Sequence, residues 1–308
     1  MANSRFSKLF RHVSGWLPFL IVSLYIATAI GVEIYSFAAQ KSGTTPVYEL
    51  ADEKAIFLPP GRAHYFGTDY QGRDVFWRAV AGCSGAVKVG LISGLIAVIL
   101  GVILGTAAGY YGGKIDDLVV WLYSVFASVP SLLFILAFAL LVTRGFLAPG
   151  AEKAVKIISS GLRVEPGMLA VYVAIGITGW VALCRVVRAE TMKIKQLSFV
   201  EAAKIAGVGS PGIIIRHILP NLSHLVVIYF TLTFAGAVMM EVIVSYLGFG
   251  VQSFPSWGVM LSDGQEHLWR GVYWEIAAAT LFIFVLVLSL NILGDRLRDV
   301  FDPRENRR

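Results

Sequence analysis

The chain has 308 residues, of which 56% are hydrophobic and only 15% charged, and its mean hydropathy is +0.71. Soluble domains carry roughly 25% charged residues, so this composition excludes an ordinary soluble protein and predicts an all-α integral membrane protein. The net charge of +6 matters less than where Lys and Arg lie, and no nucleic-acid partner is expected. The two cysteines, Cys83 and Cys184, form no disulfide framework or metal-ligand spacing, so no metal site or cofactor is expected.

Six segments are apolar and near the length of about 20 residues that a transmembrane helix needs. They are Trp16–Phe37, Gly85–Tyr110, Leu118–Val142, Met168–Cys184, Leu225–Phe249 and Ile276–Leu293. The first segment has a basic start and an Ala27-Thr28-Ala29 triplet, as a cleaved signal peptide would. Its apolar run continues past that triplet, so the sequence predicts an uncleaved first span.

The distribution of Lys and Arg in short loops predicts the orientation of the spans. With the N-terminus inside, the inside segments hold many basic residues, among them Arg185, Arg188, Lys193 and Lys195, while the last outside loop holds only Arg270. Two other outside loops, at about residues 40–84 and 143–167, also contain basic residues and are a counter-signal. Both termini are predicted to lie in the cytoplasm.

A polar stretch, SFVEAAKIAGVGSPGIIIRHILPNL at residues 198–222, interrupts the apolar runs. Ser198 and Glu201 have the spacing of a capping box at a helix start, and Gly207 is placed to end that helix. Pro220 disfavours helix at the residue before it and is expected to redirect the chain into the fifth span. This spacing alone suits either an amphipathic connector on the membrane surface or a docking element for another protein.

The same stretch resembles the EAA loop of ABC-importer permeases, whose signature is E-A-A, three residues, G, nine residues and I-x-L-P. The residues that match are Glu201, Ala202, Ala203, Gly207, Leu219 and Pro220. His217 departs from the signature by occupying the Ile position. The sequence RHILPN nevertheless resembles the variant of this loop in the oligopeptide, dipeptide and nickel branch.

Further stretches over residues 64–304 resemble the same branch. They are FGTDYQGRDVFWR at 66–78, GYYGGKIDD at 109–117, YLGFGVQSFPSWGVMLSDG at 246–264 and LGDRLRDVFDPR at 293–304. The resemblance implies three parts. Residues 1–83 would hold a cytoplasmic tail, the first span and a long periplasmic loop, residues 84–294 a five-helix transporter domain with its EAA loop at 188–222, and residues 295–308 a cytoplasmic tail.

The resemblance implies a type I ABC-importer permease fold with six transmembrane helices, in the bacterial inner membrane, and the second, C-type permease subunit. The cargo would be di- or oligopeptides, with nickel or another small solute as the alternative. The implied partners are a homologous second permease, two cytoplasmic ABC ATPases, a periplasmic or lipid-anchored substrate-binding protein and membrane lipid. The EAA loop would be the coupling helix that contacts an ATPase, so that ATPase closure drives alternating access.

Two short motifs bear on catalysis by the chain itself. Gly113-Lys114 lacks the remaining residues of a P-loop, since Ala108 and Ile115 stand where Gly and Ser or Thr are required. Ser84, in GCSGA, resembles the nucleophile of an intramembrane serine hydrolase, but the five histidines lie at or outside the predicted span ends, away from a nucleophile that needs a base. No catalytic residue is expected, and any ATP hydrolysis would be carried out by partner subunits.

Glu241 and an acidic segment before the second span are the other candidate sites. Glu241 lies in the fifth span, where a carboxylate is costly, and either lines the pathway or gate or only bonds a neighbouring helix. Outside, Thr68 or Asp69 would cap a short helix while Arg73 pairs locally, or Asp69, Arg73 and Asp74 would contact the partner permease or binding protein. The spans are expected to offer little charge beyond Glu241, which argues against a channel or secondary transporter.

Overall fold

The computed structural model describes residues 13–146, 149–249 and 254–301. Within these ranges the chain is mostly helical, and its only β-type pairing is a single bridge between Thr68 and Asp74. The helices are α1 (Val13–Ser42), α2 (Val75–Tyr111), α3 (Gly113–Ser128), α4 (Ser131–Thr143), α5 (Pro149–Leu162), α6 (Pro166–Ile194), α7 (Ser198–Ile205), α8 (Ser210–Ile213), α9 (Leu219–Tyr246), α10 (Trp257–His267) and α11 (Trp274–Phe301). The expected tail at 295–308 and the stretch at 246–264 lie partly outside the described ranges.

Five uninterrupted helical segments of the described chain are long and apolar enough to cross a membrane. Four predicted spans lie inside α1, α2, α6 and α11, and the fifth overruns its helix at Phe249. The predicted span at residues 118–142 is not one continuous helix, because α3 and α4 meet there at a bend of 88°. Pro130 explains the break, since proline forces the preceding Val129 into an extended conformation (φ −94°, ψ 128°). The bent pair counts as a sixth span when its two halves are taken together.

The fifth span is longer than predicted, because the chain is continuously helical from Ser210 to Tyr246. The expected redirection at Pro220 is wrong. A π-helical segment, Ile214–Ile218, joins α8 to α9, and Leu219 keeps helical angles (φ −55°, ψ −42°). The wider π turn takes an additional residue per turn and so accommodates a proline that would otherwise clash with the preceding turn of an α-helix.

Helices α2 and α6 form the centre of the fold and approach each other through small residues. Gly101, Gly105 and Gly109 lie four residues apart on one face of α2. A Cβ atom on Gly105 would lie 2.7 Å from the Cys184 carbonyl oxygen, and one on Gly109 would lie 2.6 Å from the Arg188 carbonyl oxygen. Only glycine permits this backbone approach, which is a common way to pack helices in a membrane.

The ends of α2 lie in two different parts of the core. Tyr110, at one end, packs in a cluster with Val200 of α7. Val75, at the other end, packs in the main cluster with Trp257 of α10, whose indole Nε1 donates to the Ala79 carbonyl oxygen at 2.8 Å. We therefore call these the α7 end and the α10 end of the molecule.

Replacing Gly105 with Leu should destabilise the protein, because the new side chain has no space between α2 and α6. Overpacking costs typically about 1–3 kcal/mol, and the expected result is a lower melting temperature and less monodisperse protein in detergent. Gly236→Leu is the matched control, because a Cβ atom there meets nothing within 4 Å. Equal melting temperatures for the two variants would contradict the close packing of α2 on α6.

Candidate functional site

Helix α7 has one face against the spans and one face exposed. Val200 and Ala203 are buried in a cluster that also contains Ile194 of α6, Ile213 of α8 and Leu222 of α9. Residues three apart share one face of a helix, so these two anchor the short helix to both spans that flank it. The helix is therefore packed against the spans and is not a free connector.

The end of α7 is fixed by the glycine that the sequence predicts. Gly207 adopts φ +79°, its N–H donates to the Lys204 carbonyl oxygen at 3.0 Å, and the Val208 N–H donates to the Ala203 carbonyl oxygen at 3.0 Å. This pair of bonds is a Schellman motif, in which glycine is favoured because of its left-handed conformation. The prediction of Gly207 as the helix terminator is confirmed.

The start of α7 differs from the prediction. Ser198 is not the N-cap; Leu197 holds that position, without a side-chain capping bond. The backbone turns directly out of α6, with the Leu197 N–H donating to the Ile194 carbonyl oxygen at 3.1 Å. The helical bonds then begin at the Leu197 carbonyl oxygen, which accepts from the Val200 and Glu201 N–H groups, so the capping-box role of Ser198 and Glu201 is wrong.

The outer face of α7 carries a compact, chemically distinct surface. Glu201 and Ala202 are exposed, and Ile205 at the end of the helix is 89% exposed. Isoleucine is among the residues most often buried in proteins, so its exposure beside a small alanine and a carboxylate suits contact with another protein. We refer to Glu201, Ala202 and Ile205 as the α7 surface.

Leu219 and Pro220, the other predicted coupling residues, lie at the start of α9 and not on the α7 surface. His217, in the position where the signature has Ile, is partly buried, and its ring lies 6.3 Å from the Phe199 ring of α7. Ile218, one residue later, is fully buried in the cluster beneath α7. The π-helical segment thus places Ile218 in the apolar core and leaves His217 beside the short helix.

An ion pair connects α6 to α3 at the α7 end, and the positions of its two residues in the sequence give no indication of this contact. Arg188 holds Asp116 through two hydrogen bonds, from Nε to Oδ1 and from Nη2 to Oδ2, the second 2.6 Å long. Such two-pronged pairs fix geometry as well as charge. The partners are 72 residues apart, so only the fold brings them together.

The α10 end contains a buried charged cluster in which Arg78 bonds two carboxylates and lies near a third. Its Nη1 atom is 2.5 Å from Asp69 Oδ2 and 3.0 Å from Glu275 Oε1, and its Nη2 atom is 3.7 Å from Asp263 Oδ2. Arg73 Nε adds a bond of 2.7 Å to Asp69, which confirms its predicted local pairing. Sequence reasoning missed Arg78, Asp263 and Glu275, because Glu275 is 197 residues from Arg78.

Asp74, and not Thr68 or Asp69, caps the helix that follows. The Asp74 carboxylate accepts from the Trp77 N–H at 3.2 Å and from His64 Nδ1 at 2.8 Å. The Thr68 hydroxyl donates to the Ala55 carbonyl oxygen. Asp69 Oδ1 accepts from the Gln71 and Arg73 N–H groups, but these residues form a turn, so the predicted short helix is wrong. Contact of Asp69, Arg73 and Asp74 with a partner stays a prediction.

Glu241 is buried where α9 meets α10. Its Oε1 atom accepts from the Ser245 hydroxyl at 2.7 Å and from the Ser256 hydroxyl at 2.9 Å, and Ser256 also accepts from the Gly258 N–H at 3.1 Å. These bonds match the expected alternative in which Glu241 fixes a neighbouring helix. A role in the pathway or gate stays a prediction.

The spans contain a second charged site, so the expectation of little charge beyond Glu241 is wrong. Lys88 Nζ of α2 lies 2.7 Å from Glu33 Oε1 of α1. The Ser84 hydroxyl donates to the same carboxylate, and its partner is therefore not the histidine that a serine hydrolase requires. These two charges could be read from the sequence, since both residues lie inside predicted spans.

In the described part of the chain, no group of three His, Cys, Asp or Glu residues is arranged to hold a metal ion.

Comparison with known proteins identifies the transporter class. Residues 97–307 match the family model of the binding-protein-dependent transport system inner membrane component. The chain belongs to this family. It is 34% identical over 251 residues to the dipeptide transport system permease protein DppC of Bacillus subtilis, covering 81% of this chain and 72% of that protein.

Two further relatives show similar coverage. The oligopeptide transport system permease protein OppC of Escherichia coli is 36% identical over 243 residues, covering 79% of this chain and 73% of that protein. The glutathione transport system permease protein GsiD of Pectobacterium atrosepticum is 32% identical over 246 residues, with 80% and 74% covered. The region that matches the family, residues 97–307, includes α7, Arg188 and Glu241. Helix α1 and the loop before α2 precede it.

Replacing Arg78 with Met should destabilise this inner membrane component strongly, because three carboxylates at the α10 end lose their shared cation. Removing one partner of a buried ion pair costs about 3–5 kcal/mol, measurable as thermal unfolding in detergent. Arg270→Met, at an exposed position near the same end, is the control. A loss no larger than that of the control would show that the cluster is not held by Arg78.

The loss of stability in the Arg78→Met variant, relative to wild type, should become smaller as the pH falls. Burial raises the pKa of Asp263, and Arg78 opposes that shift, so removing Arg78 raises the pKa further. A carboxyl group with a raised folded-state pKa binds its proton more tightly when folded, and stability therefore falls as pH rises above about 4, its unfolded value. A difference from wild type that is constant between about pH 5 and about pH 8 would contradict this account.

Proposed function

We propose that the protein is one permease subunit of an ATP-driven importer of di- or oligopeptides, with α7 as its coupling helix. The observation that carries the proposal is the α7 surface, which is exposed although it contains Ile205, on a helix anchored to the spans on both sides. The relatives support the cargo class, because their names specify dipeptides, oligopeptides and glutathione, and glutathione is itself a short peptide.

The packing of α7 suits the transmission of force. Val200 and Ala203 are anchored in a cluster with side chains of α2, α6, α8 and α9, so a partner that pushes α7 pushes these helices as one body. ATP-dependent closure of an ATPase would in this way favour one of two helix arrangements over the other. ATP hydrolysis itself belongs to the separate ATPase subunits.

The same proposal fixes the orientation and the remaining partners. The α7 end lies in the cytoplasm with both termini, and the α10 end faces the periplasm, where a substrate-binding protein delivers cargo. A homologous second permease completes the pathway, two cytoplasmic ATPases supply energy, and lipid covers the remaining apolar surface. The proposed division is into residues 1–83, 84–294 and 295–308, and its two boundaries fall inside α2 and α11.

Ile205→Asp should separate the transporter from its ATPases without unfolding it. Burying an isoleucine side chain is worth about 1.5–3 kcal/mol, so the variant should lose at least about tenfold in ATPase recruitment and in peptide uptake. The measurement is the amount of ATPase that copurifies with the permease, together with uptake of a labelled tripeptide into vesicles.

Two controls make the result specific. Ile205→Leu keeps an apolar side chain and should retain recruitment, and Trp269→Asp changes a residue that is 94% exposed near the α10 end and should recruit ATPase normally. Full recruitment and uptake in Ile205→Asp would contradict docking through the α7 surface. If the wild-type permease assembles fully with its ATPases but takes up no peptide, the proposal that the cargo is a peptide is wrong.

A further inference from the structure

A small cavity with a mixed polar and apolar lining lies between α2 and the start of α6. Its volume is about 140 Å³, below the about 300–1,000 Å³ of pockets that enclose a drug-sized ligand. Its lining includes Ser84, Gly85 and Lys88 of α2, together with Glu165, Met168 and Tyr172 along α6. A space of this size fits one end of a chain molecule and not a whole peptide.

The two sides of the cavity are single helix faces. Residues 165, 168 and 172 are spaced three and seven apart, which places them on one side of α6. Gly85 leaves the opposite wall open, because a Cβ atom there would meet nothing within 4 Å. This contrasts with the nearby Gly82 and Gly90, where a Cβ atom would lie 2.5 Å from the Trp257 ring and 2.3 Å from the Phe234 ring.

The Tyr172 side chain borders this cavity, and its hydroxyl has no hydrogen-bond partner within the described ranges. The residue is only 1% exposed. A hydroxyl that opens into a cavity can donate to an acceptor there. A ligand with an acceptor oxygen would satisfy it.

Two cationic side chains and one carboxylate line the cavity, namely Lys88, Arg163 and Glu165. Lys88 is already satisfied, by Glu33 at 2.7 Å and by the Arg163 carbonyl oxygen at 3.2 Å. The Arg163 guanidinium lies over the Phe37 ring, 4.0 Å from its centroid. Glu165, at the mouth, has no ion pair within the described ranges, and partial desolvation raises the pKa of its carboxyl group with no cation opposing the shift.

We propose that this cavity binds the amino-terminal end of a peptide during transport. The peptide's ammonium group pairs with the Glu165 carboxylate, and its first carbonyl oxygen accepts a hydrogen bond from the Tyr172 hydroxyl. The first side chain lies against Met168 and the Phe254 ring, which also borders the cavity. This inference rests on the proposed function, because it names where the permease meets its peptide cargo.

The test is cross-linking in the complete transporter, reconstituted with its ATPases and binding protein. Gly85→Cys places a thiol in the cavity, while the chain's own cysteines, Cys83 and Cys184, are buried. The probes are two tripeptides that carry a thiopyridyl-activated cysteine at the first or the last position. During ATP turnover, the first-position probe should form the mixed disulfide at residue 85 at least about fivefold more than the last-position probe, as measured by mass spectrometry.

Second-site variants then test the two contacts. In the Gly85→Cys background, Glu165→Gln and Tyr172→Phe should each lower cross-linking about fivefold to tenfold at a peptide concentration below saturation. Glu152→Gln is the matched control, because Glu152 lies in an exposed pair with Lys156 on α5, and it should leave the yield unchanged.

The outcomes separate this inference from the proposed function. If both probes are taken up but neither cross-links residue 85, or if both do so equally, the cavity assignment is wrong and the importer proposal stands. If Glu165→Gln and Tyr172→Phe leave the yield unchanged, the named contacts are wrong. If the Gly85→Cys transporter and the wild type take up neither probe nor any unmodified tripeptide, the peptide-import proposal itself fails.

Discussion

A charged side chain between transmembrane helices must find its partner inside the protein, because the surrounding hydrocarbon offers none. Lys88 with Glu33 meets this requirement inside the spans, while Arg78 with its carboxylates and Arg188 with Asp116 form ion pairs at the two ends of the helices. Each involves α2 or α6, two helices whose backbones approach each other closely through glycine. The close packing of this helix pair therefore sets where charge can be placed, and the charges in turn fix α1, α3, α10 and α11 around the pair.

Helix α6 connects the α7 end to the cavity that we propose as a peptide site. Its first turns carry Met168 and Tyr172, which line the cavity. Its last turns carry Arg188, which bonds Asp116 of α3, and Ile194, which packs beneath α7. A helix transmits displacement along its length because its backbone is fully hydrogen-bonded. Movement of α7 would thus shift one wall of the cavity relative to α2, which gives a physical route from ATPase closure to release of the peptide end.

Much of this arrangement could be predicted from the sequence, and the failures have specific physical causes. Long apolar runs indicated the spans, and Gly207 indicated the end of α7, because both depend on local composition and backbone conformation. The break at Pro130 was readable in principle, but the apolar run across it concealed the bend. Pro220 was misread because the π-helical segment before it relieves the usual steric conflict.

The polar sites were harder to predict than the helices. Glu33 and Lys88 were visible as single charges in predicted spans, but their pairing depends on how α1 packs against α2. Arg78 and Glu275 are far apart in the chain, and no spacing rule joins them. Tyr172 lies inside a predicted span, and only the fold shows that it lines a cavity.

The most direct test of the account is the accessibility of Ala202 in the assembled transporter. With Cys83 and Cys184 buried, Ala202→Cys provides one exposed thiol on the α7 surface for a water-soluble maleimide or a short bifunctional cross-linker. If α7 is the coupling helix, the maleimide should label residue 202 rapidly in the permease alone and slowly once the ATPases are bound. The bifunctional reagent should then cross-link residue 202 to an ATPase subunit. Labelling that is equally fast with and without bound ATPases, in a transporter that still imports peptide, would contradict α7 as the coupling helix.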